Sequence, residues 1–426
     1  MAWVKEYLGN RLKVISGYAF KSSDFLDIKE NNIPVVKIKN IKNGYVDIEN
    51  DTQYVSNEKL NIDDKFKVFN GDILISLTGS QITQPNSVVG RIAKCYFNDN
   101  QIALLNQRAG KFIINEEKLN KDFLFYLLSN DIYKQKLALM GHGAASQANI
   151  SPSQVESLEV YLPDKVEEQQ KIAKILSNYD DLIENNNKRI KILEEMAQKI
   201  YKEWFVGFKF PNHETATFKQ TDLGKIPTDW EINKLSDFGE TITGKTPSKN
   251  DDSNYGKEVD FIKTPDMHNG IFCLDTVEHL SLKGANTQKN KFIPIGSICV
   301  SCIGTVGVVA ITTKNSQTNQ QINSIIPKNS FYREYLYFVC NNLKPTLENL
   351  GANGATMTNV NKNKFDNIQV SKPSDKLLQA FSQLIKPIFE QIKNLSLKNQ
   401  TLKQTRDLLL PRLISDEIDV ENMEIV

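Results

Sequence analysis

The sequence predicts an α+β chain with a pseudo-twofold internal repeat: two homologous mixed α/β domains, each followed by one long helix. Three observations carry this. The two halves match in order at a slowly drifting offset. Each half holds short strand-like runs bounded by Gly, Asn and Asp. Each ends in a stretch whose apolar residues fall seven apart.

The repeat can be followed along the chain. Trp3, Leu8 and Ile15-Ser16-Gly17 match Trp230, Leu235 and Ile242-Thr243-Gly244, all 227 apart, and Val35-Val36-Lys37 matches Phe261-Ile262-Lys263 at 226. Gly71-Asp-Ile-Leu-Ile-Ser-Leu-Thr-Gly79 matches Gly296-Ser-Ile-Cys-Val-Ser-Cys-Ile-Gly304 at 225. Past an eight-residue loop difference, Val89-Gly90 matches Val306-Gly307. Asn149-Ile150, Val160 and Pro163 then match Asn359-Val360, Val370 and Pro373 at 210. Ordered matches with small drifts mean duplication.

Within the first copy, Ile33–Ile38, Asp72–Leu77 and Lys111–Ile114 read as strands, and Asp122–Met140 reads as helix. The long helices start just after the matched prolines. Asp164 and Ser374 are the expected N-caps, and Glu167 makes Asp164 a capping-box candidate. Gly207 and Pro211 should end the first helix, and Pro411 should close the second. The domain boundaries follow: a domain over 1–163, a helix over 164–207, a linker over 208–228, a second domain over 229–373, and a second helix with its tail over 374–426.

Ile172, Tyr179, Asn186, Leu193 and Ile200 form one heptad row, and Phe381, Ile388, Leu395, Leu402 and Leu409 form the other. Two amphipathic helices, each packed on its own domain, are one reading. A shared coiled coil is the other, and a 3.5-residue period over five heptads exceeds what docking one helix requires. Asn186 in a core row would fix register at some cost in stability. Pro387 should kink the second helix.

Composition excludes several classes. The 426 residues are 40% hydrophobic and 24% charged, a globular balance with room for more than one core. Met1–Asn10 carries Lys5 and Glu6 without an apolar stretch, so no signal peptide is expected, and no run is long enough to span a membrane. Five irregularly spaced cysteines fit reduced thiols and a cytoplasmic location. The net charge is +1, with 20 basic against 19 acidic residues in 1–166 and 17 against 16 in 213–374. Composition thus leaves nucleic-acid binding open without supporting it, because that depends on local rather than total charge.

With the repeat established, local motifs resemble the specificity subunits of type I restriction-modification systems. They are Trp3…Leu8-Gly9…Ile15-Ser16-Gly17-Tyr18-Ala19-Phe20-Lys21-Ser22, Gly71-Asp72-Ile73-Leu74-Ile75-Ser76, Leu162-Pro163…Glu168-Gln169…Ile172-Ala173…Leu176, Trp204-Phe205, and Leu409-Leu410-Pro411-Arg412-Leu413-Ile414-Ser415 with Glu417-Ile418. The resemblance covers nearly the whole chain. Asp416 departs from it, standing where the family usually has Gly, as does Ser297 in place of the motif's Asp. The resemblance implies two target-recognition domains joined by antiparallel coiled-coil helices, with double-stranded DNA, two methyltransferase subunits and restriction/translocase subunits as partners. It implies no cofactor in this chain: S-adenosylmethionine, ATP and magnesium belong to the partners.

The motifs of catalysis are missing from the sequence. It has no P-loop, no Gly-rich dinucleotide or S-adenosylmethionine loop, and no Asn-Pro-Pro-Tyr-type methyltransferase motif. Cys299 and Cys302 look like half a zinc site, but the repeat puts them in place of Leu74 and Leu77, as small hydrophobes in a strand. His268, Cys273 and His279 lack zinc spacing, and Pro265-Asp266 has no partner Glu-x-Lys to make a nuclease motif. No catalytic residue and no metal ligand is assigned.

Polar residues suited to base and phosphate contact gather where the copies diverge. In the first copy these are Lys21, Ser22, Gln81, Thr83, Gln84, Asn86, Arg91, Gln107-Arg108, His142, Ser146 and Gln147. In the second they are Lys245, Thr246, Lys249, Thr305, Asn319-Gln320-Gln321, Asn353, Thr356 and Met357. Any one of them alone also fits a solvated loop. As a set, they put two different loop systems on two homologous scaffolds, which should read two different sequences. The expected function is sequence-specific DNA binding, one half-site per domain, with the helices setting a spacer. The alternatives are the recognition part of a restriction enzyme with cryptic activity, and a coiled-coil scaffold that binds only proteins.

Overall fold

The computed structural model describes residues 2–80, 89–98, 100–144, 147–352, 358–421 and 423. The chain divides into two compact units, Met1–Ile183 with Thr401–Val426, and Glu184–Gln400. Neither unit is a sequence half. Each combines one domain with a segment from both long helices.

In the first unit the main sheet has five strands. Across the sheet they run Leu12–Ser16, Ala109–Ile114, Ile73–Ser76, Ile92–Lys94 and Gly44–Tyr45. The main sheet of the second unit runs Gly239–Thr243, Ile322–Pro327, Ile298–Ser301, Val309–Thr312 and Phe272–Cys273. These are the same five chain positions in the same spatial order, and only the outermost pairing is parallel in each. A second sheet repeats as well, around Asn32–Val36 with Ala103–Leu105 in one unit and Tyr255–Ile262 with Ser316–Thr318 in the other. The first and last strands of each domain also pair, Trp3–Tyr7 with Glu159–Pro163 and Glu231–Lys234 with Gln369–Lys372.

Both faces of each main sheet are covered, so its central strand is buried throughout. Side chains alternate along that strand. Ile73 and Ile75 join the core that holds Phe123, Leu124 and Leu127, while Leu74 joins the core against the second sheet. Ile298 and Val300 take the first role in the second unit, and Cys299 takes that of Leu74. Cys302 packs where Leu77 does. All five cysteines are free and buried, and burial pushes the thiols of Cys299 and Cys302 up to about 12. These are packing residues.

Asp122–Met140 is two helices, Lys121–Ser129 and Asp131–Met140. The break lies at Asn130, whose side chain accepts from the Ile132 N–H at 2.9 Å and so caps the second helix. The linker holds a hairpin, Phe218–Thr221 with Gly224–Pro227, and Phe208 and Phe210 pack on Trp230 beside it.

The first long helix spans Val166–Tyr201 and continues as one π turn, Lys202–Val206. Asp164 is engaged by Arg11 at 3.1 Å. Ser374 does cap the second helix, Asp375–Ile414, accepting from Leu377 at 3.3 Å. That helix runs uninterrupted through Pro387 and past Pro411, and so does not close where the proline suggests. It ends in a Schellman arrangement, with the Glu417 N–H on the Arg412 carbonyl and Asp416 at φ 65°.

Within each unit the two helix segments are antiparallel. In the first, Asp180 meets Arg406, while Lys171 donates to the Glu421 carbonyl at 2.6 Å. In the second, Asn186 donates to Asn399 at 2.8 Å, and Phe205 packs on Phe381 with ring centroids 4.8 Å apart. Of the heptad rows named above, Ile172, Asn186 and Phe381 are buried and the others are half-buried. A second pair of rows is more deeply covered: Gln169, Leu176, Ile183 and Ala197 on one helix, Leu378, Ile385, Ile392 and Asn399 on the other. Each helix is therefore packed on two sides, by its partner helix and by a domain.

Candidate nucleic-acid interface

One end of each main sheet is occupied by the long helices. In the first unit, Leu12 pairs with Ile114, and beside them Arg11 binds Asp164 and Gln169 accepts from the Asn120 N–H at 2.8 Å. In the second unit, Gly239 pairs with Pro327, and nearby Tyr332 donates to Asp375 and Ser382 to Glu334, each at 2.8 Å. The opposite end of each sheet carries the divergent loops.

That far rim has the same backbone frame in both units. After Leu12–Ser16, Gly17 lies so close to the 105–106 backbone that a Cβ would sit 2.3 Å from the Leu105 oxygen. Gly244 is as tight against Thr318 and Asn319, at 2.2 Å. Only glycine permits this approach. The next residue then bonds across: Tyr18 N–H to Leu105 O at 2.7 Å, and Lys245 N–H to Thr318 O at 2.9 Å. A tight turn follows, Asn106-Gln107-Arg108 in one unit and Asn319-Gln320-Gln321 in the other.

The structure brings several candidates together on this rim. In the second unit Lys245 and Thr246 lie against the 319–321 turn, with the Thr246 hydroxyl on Gln320 Oε1 at 2.6 Å. Thr305 is exposed on the adjoining turn, where the Gly304 N–H bonds the Thr358 carbonyl at 3.1 Å. In the first unit Arg108 is exposed, and its carbonyl holds the Leu77 N–H at 2.9 Å. His142 and Gln147 are exposed on a hairpin, His142–Ala144 with Gln147–Asn149, that extends from Thr78–Gly79 at the same end.

Other candidates sit differently. Arg91 is on the rim but half-buried, its guanidinium donating to the Ile38 carbonyl at 3.0 Å and its pKa lowered by that burial. Lys21 and Ser22 are exposed at the turn Ser22–Asp24, three residues beyond the frame, and Lys249 is exposed on the loop before Asp252–Asn254. Gln81, Thr83, Gln84, Asn86, Ser146, Asn353, Thr356 and Met357 lie outside the described residues. Of the two framing residues, Asn319 was among the candidates read from sequence and Asn106 was not. The signal that would have found it is the Asn-Gln dipeptide shared by both turns.

One cluster has ligand-type side chains: Asp260, Asp275 and His279, whose ligand atoms lie within 4.8 Å of one another. Lys314 forms an ion pair with Asp260 at 3.1 Å, and the His279 ring lies 3.3 Å from the same carboxylate, so Asp260 already has its partners within the protein. Among the described residues no helix is long and apolar enough to cross a membrane.

The family model for the type I restriction modification DNA specificity domain matches residues 3–195 and again 227–405, once per repeat. The chain belongs to the type I specificity subunits. It is 36% identical over 370 residues to the type I restriction enzyme HindI specificity subunit of Haemophilus influenzae, covering 72% of this chain and 80% of that protein. It is 25% identical to the MjaIX specificity subunit of Methanocaldococcus jannaschii, over 98% of this chain and 95% of that one. In fold it is similar to the S subunit of a type I system from M. genitalium, with TM-score 0.60, 14% identity, and 97% and 96% of the two chains covered. As in the rest of this family, the specificity subunit recognises DNA and is not itself catalytic. The two recognition domains are the two copies of the mixed α/β scaffold.

Proposed function

We propose that each domain of this specificity subunit reads one half of a bipartite DNA target through the far rim of its main sheet. The antiparallel helices set the unread spacer between the halves and dock two methyltransferase subunits, and restriction/translocase subunits join that assembly. S-adenosylmethionine, ATP and magnesium are then bound by those partners. The observation that carries this reading is a single backbone frame built twice, with the rim side chains differing between copies. Evolution of specificity needs such an arrangement, since rim residues can change without disturbing the sheet.

Exposed apolar residues on the helices support the docking role. Ile192, Met196, Leu384 and Leu397 in the second unit, and Leu182 and Leu408 in the first, are all more than 40% exposed. The near-zero net charge fits a subunit that binds DNA tightly only alongside its partners, because few phosphates are neutralised by this chain alone. The test is to exchange residues 213–374 for the matching domain of a relative and to map methylated positions in DNA from cells making the whole complex. One half-site should change and the other persist. A change in both would refute one-domain, one-half-site reading.

A further inference from the structure

We propose that Arg108 reads a guanine in the half-site of the first domain, at the step where the second domain presents the neutral amide of Gln321. The proposal rests on the rim facing DNA. It adds the chemistry that distinguishes the two half-sites.

The two rim turns agree bond for bond. The Asn106 N–H bonds the Val36 carbonyl at 3.0 Å, and the Asn319 N–H bonds that of Ile262 at 3.1 Å. The carbonyls of Asn106 and Asn319 accept from Ala109 and Ile322, at 2.8 and 3.3 Å. Their side-chain oxygens accept from the Arg108 and Gln321 N–H groups, at 3.4 and 3.1 Å. The carbonyls of Arg108 and Gln321 accept from Leu77 and Cys302, at 2.9 and 2.7 Å. Arg108 and Gln321 therefore occupy one position on one frame, with their backbones held before any ligand arrives. Such pre-organisation lowers the ordering cost of a contact.

The side chains at that position differ in kind. Gln321 is half-buried, and its amide oxygen accepts from Asn319 at 3.0 Å. Arg108 is exposed, and its guanidinium has no partner among the described residues. A guanidinium donates a parallel pair of hydrogen bonds that matches guanine O6 and N7, whereas an amide, with one donor and one acceptor, matches adenine N7 and N6. On this frame Arg108 and Gln321 thus specify different letters.

The test uses the full chain assembled with its modification subunits. Binding is measured on duplexes varied at each position of both half-sites, at several salt concentrations, and methylated positions are mapped in cells. Arg108→Gln should lower discrimination for guanine by roughly 5- to 150-fold at one position of one half-site, leaving the other half-site unchanged. Gln321→Arg should add a guanine preference in the other half-site. A uniform loss of affinity on all sequences, with a shallower salt slope, would make Arg108 a phosphate contact and overturn the proposal. No effect of Arg108→Gln, while Lys245→Ala with Gln320→Ala weakens binding, would overturn the Arg108 assignment alone. No effect of any of these variants would overturn the rim reading as well.

Discussion

Replacing Asn186 by leucine should destabilise the second unit, and replacing both Asn186 and Asn399 should stabilise it. The two amides are buried, 4% and 5% exposed, and Asn186 donates to Asn399 at 2.8 Å. Asn399 in turn donates to the exposed Asn187, also at 2.8 Å. Asn186→Leu leaves the Asn399 oxygen without its donor in a dry seam, a cost of about 1–3 kcal/mol that leucine burial offsets only in part. The net loss should be about 1 kcal/mol. With both replaced no amide stays orphaned, since water satisfies Asn187, and two leucines bury against each other as a core layer. The double variant should gain about 1–3 kcal/mol, so the pair is strongly non-additive. Urea unfolding followed by tryptophan fluorescence reads this out, because Trp204 and Trp230 belong to the second unit and Trp3→Phe removes the signal of the first. Additive effects, or a single variant as stable as the parent, would mean that the asparagines are not a paired layer. A paired amide layer of this kind fits a register device, since a one-heptad slip would separate Asn186 from Asn399 and set one of them against Ile392 or Leu193.

Three further outcomes follow. Asp416→Gly should stabilise the end of the second helix by about 0.5–1 kcal/mol, because residue 416 is exposed with φ 65° and glycine takes that conformation without Cβ crowding; the urea midpoint should rise at unchanged slope. Glu194 lies in a cleft of about 730 Å³ among Met267, Ile271, Tyr337 and Phe338, and burial raises its pKa. A raised carboxyl pKa disfavours the folded state where the group is charged, so Glu194→Gln should stabilise at neutral pH, with the gain vanishing as pH falls through the raised value; equal gain at pH 4 and pH 7 would contradict this. Inserting one heptad into each long helix, after Asn187 and before Asn399, should lengthen the unread gap in the methylated sequence by up to roughly three base pairs, about 10 Å of helix, with both half-sites kept. The same insertion in the first helix alone should cost activity, since it strands seven residues without a partner.

The duplicated scaffold was legible in the sequence because its signals are local and repeated. Short apolar runs such as Ile73–Ser76 and Ile298–Ser301 and the glycines at 17 and 244 recur in order, and each follows from backbone chemistry that acts within a few residues. The place of Cys299 and Cys302 as substitutes for Leu74 and Leu77 was readable for the same reason. Capping was legible at Ser374, whose hydroxyl accepts from the Leu377 N–H. At Asp164 it was not, because the helix starts at Val166, one residue too late for Asp164 to be its N-cap, and the carboxylate meets Arg11, remote in sequence, instead. Likewise Pro411 lies in the last turn of its helix, and the stop comes from the left-handed Asp416. Only the tertiary structure decided that each unit draws helix from both repeats, since heptads mark a buried seam and leave open which helix or domain covers it. The same holds for the rim: which of the scattered polar residues meet depends on long-range pairing of strands, and that pairing puts the Thr246 hydroxyl on Gln320 while turning the Arg91 guanidinium onto the Ile38 carbonyl.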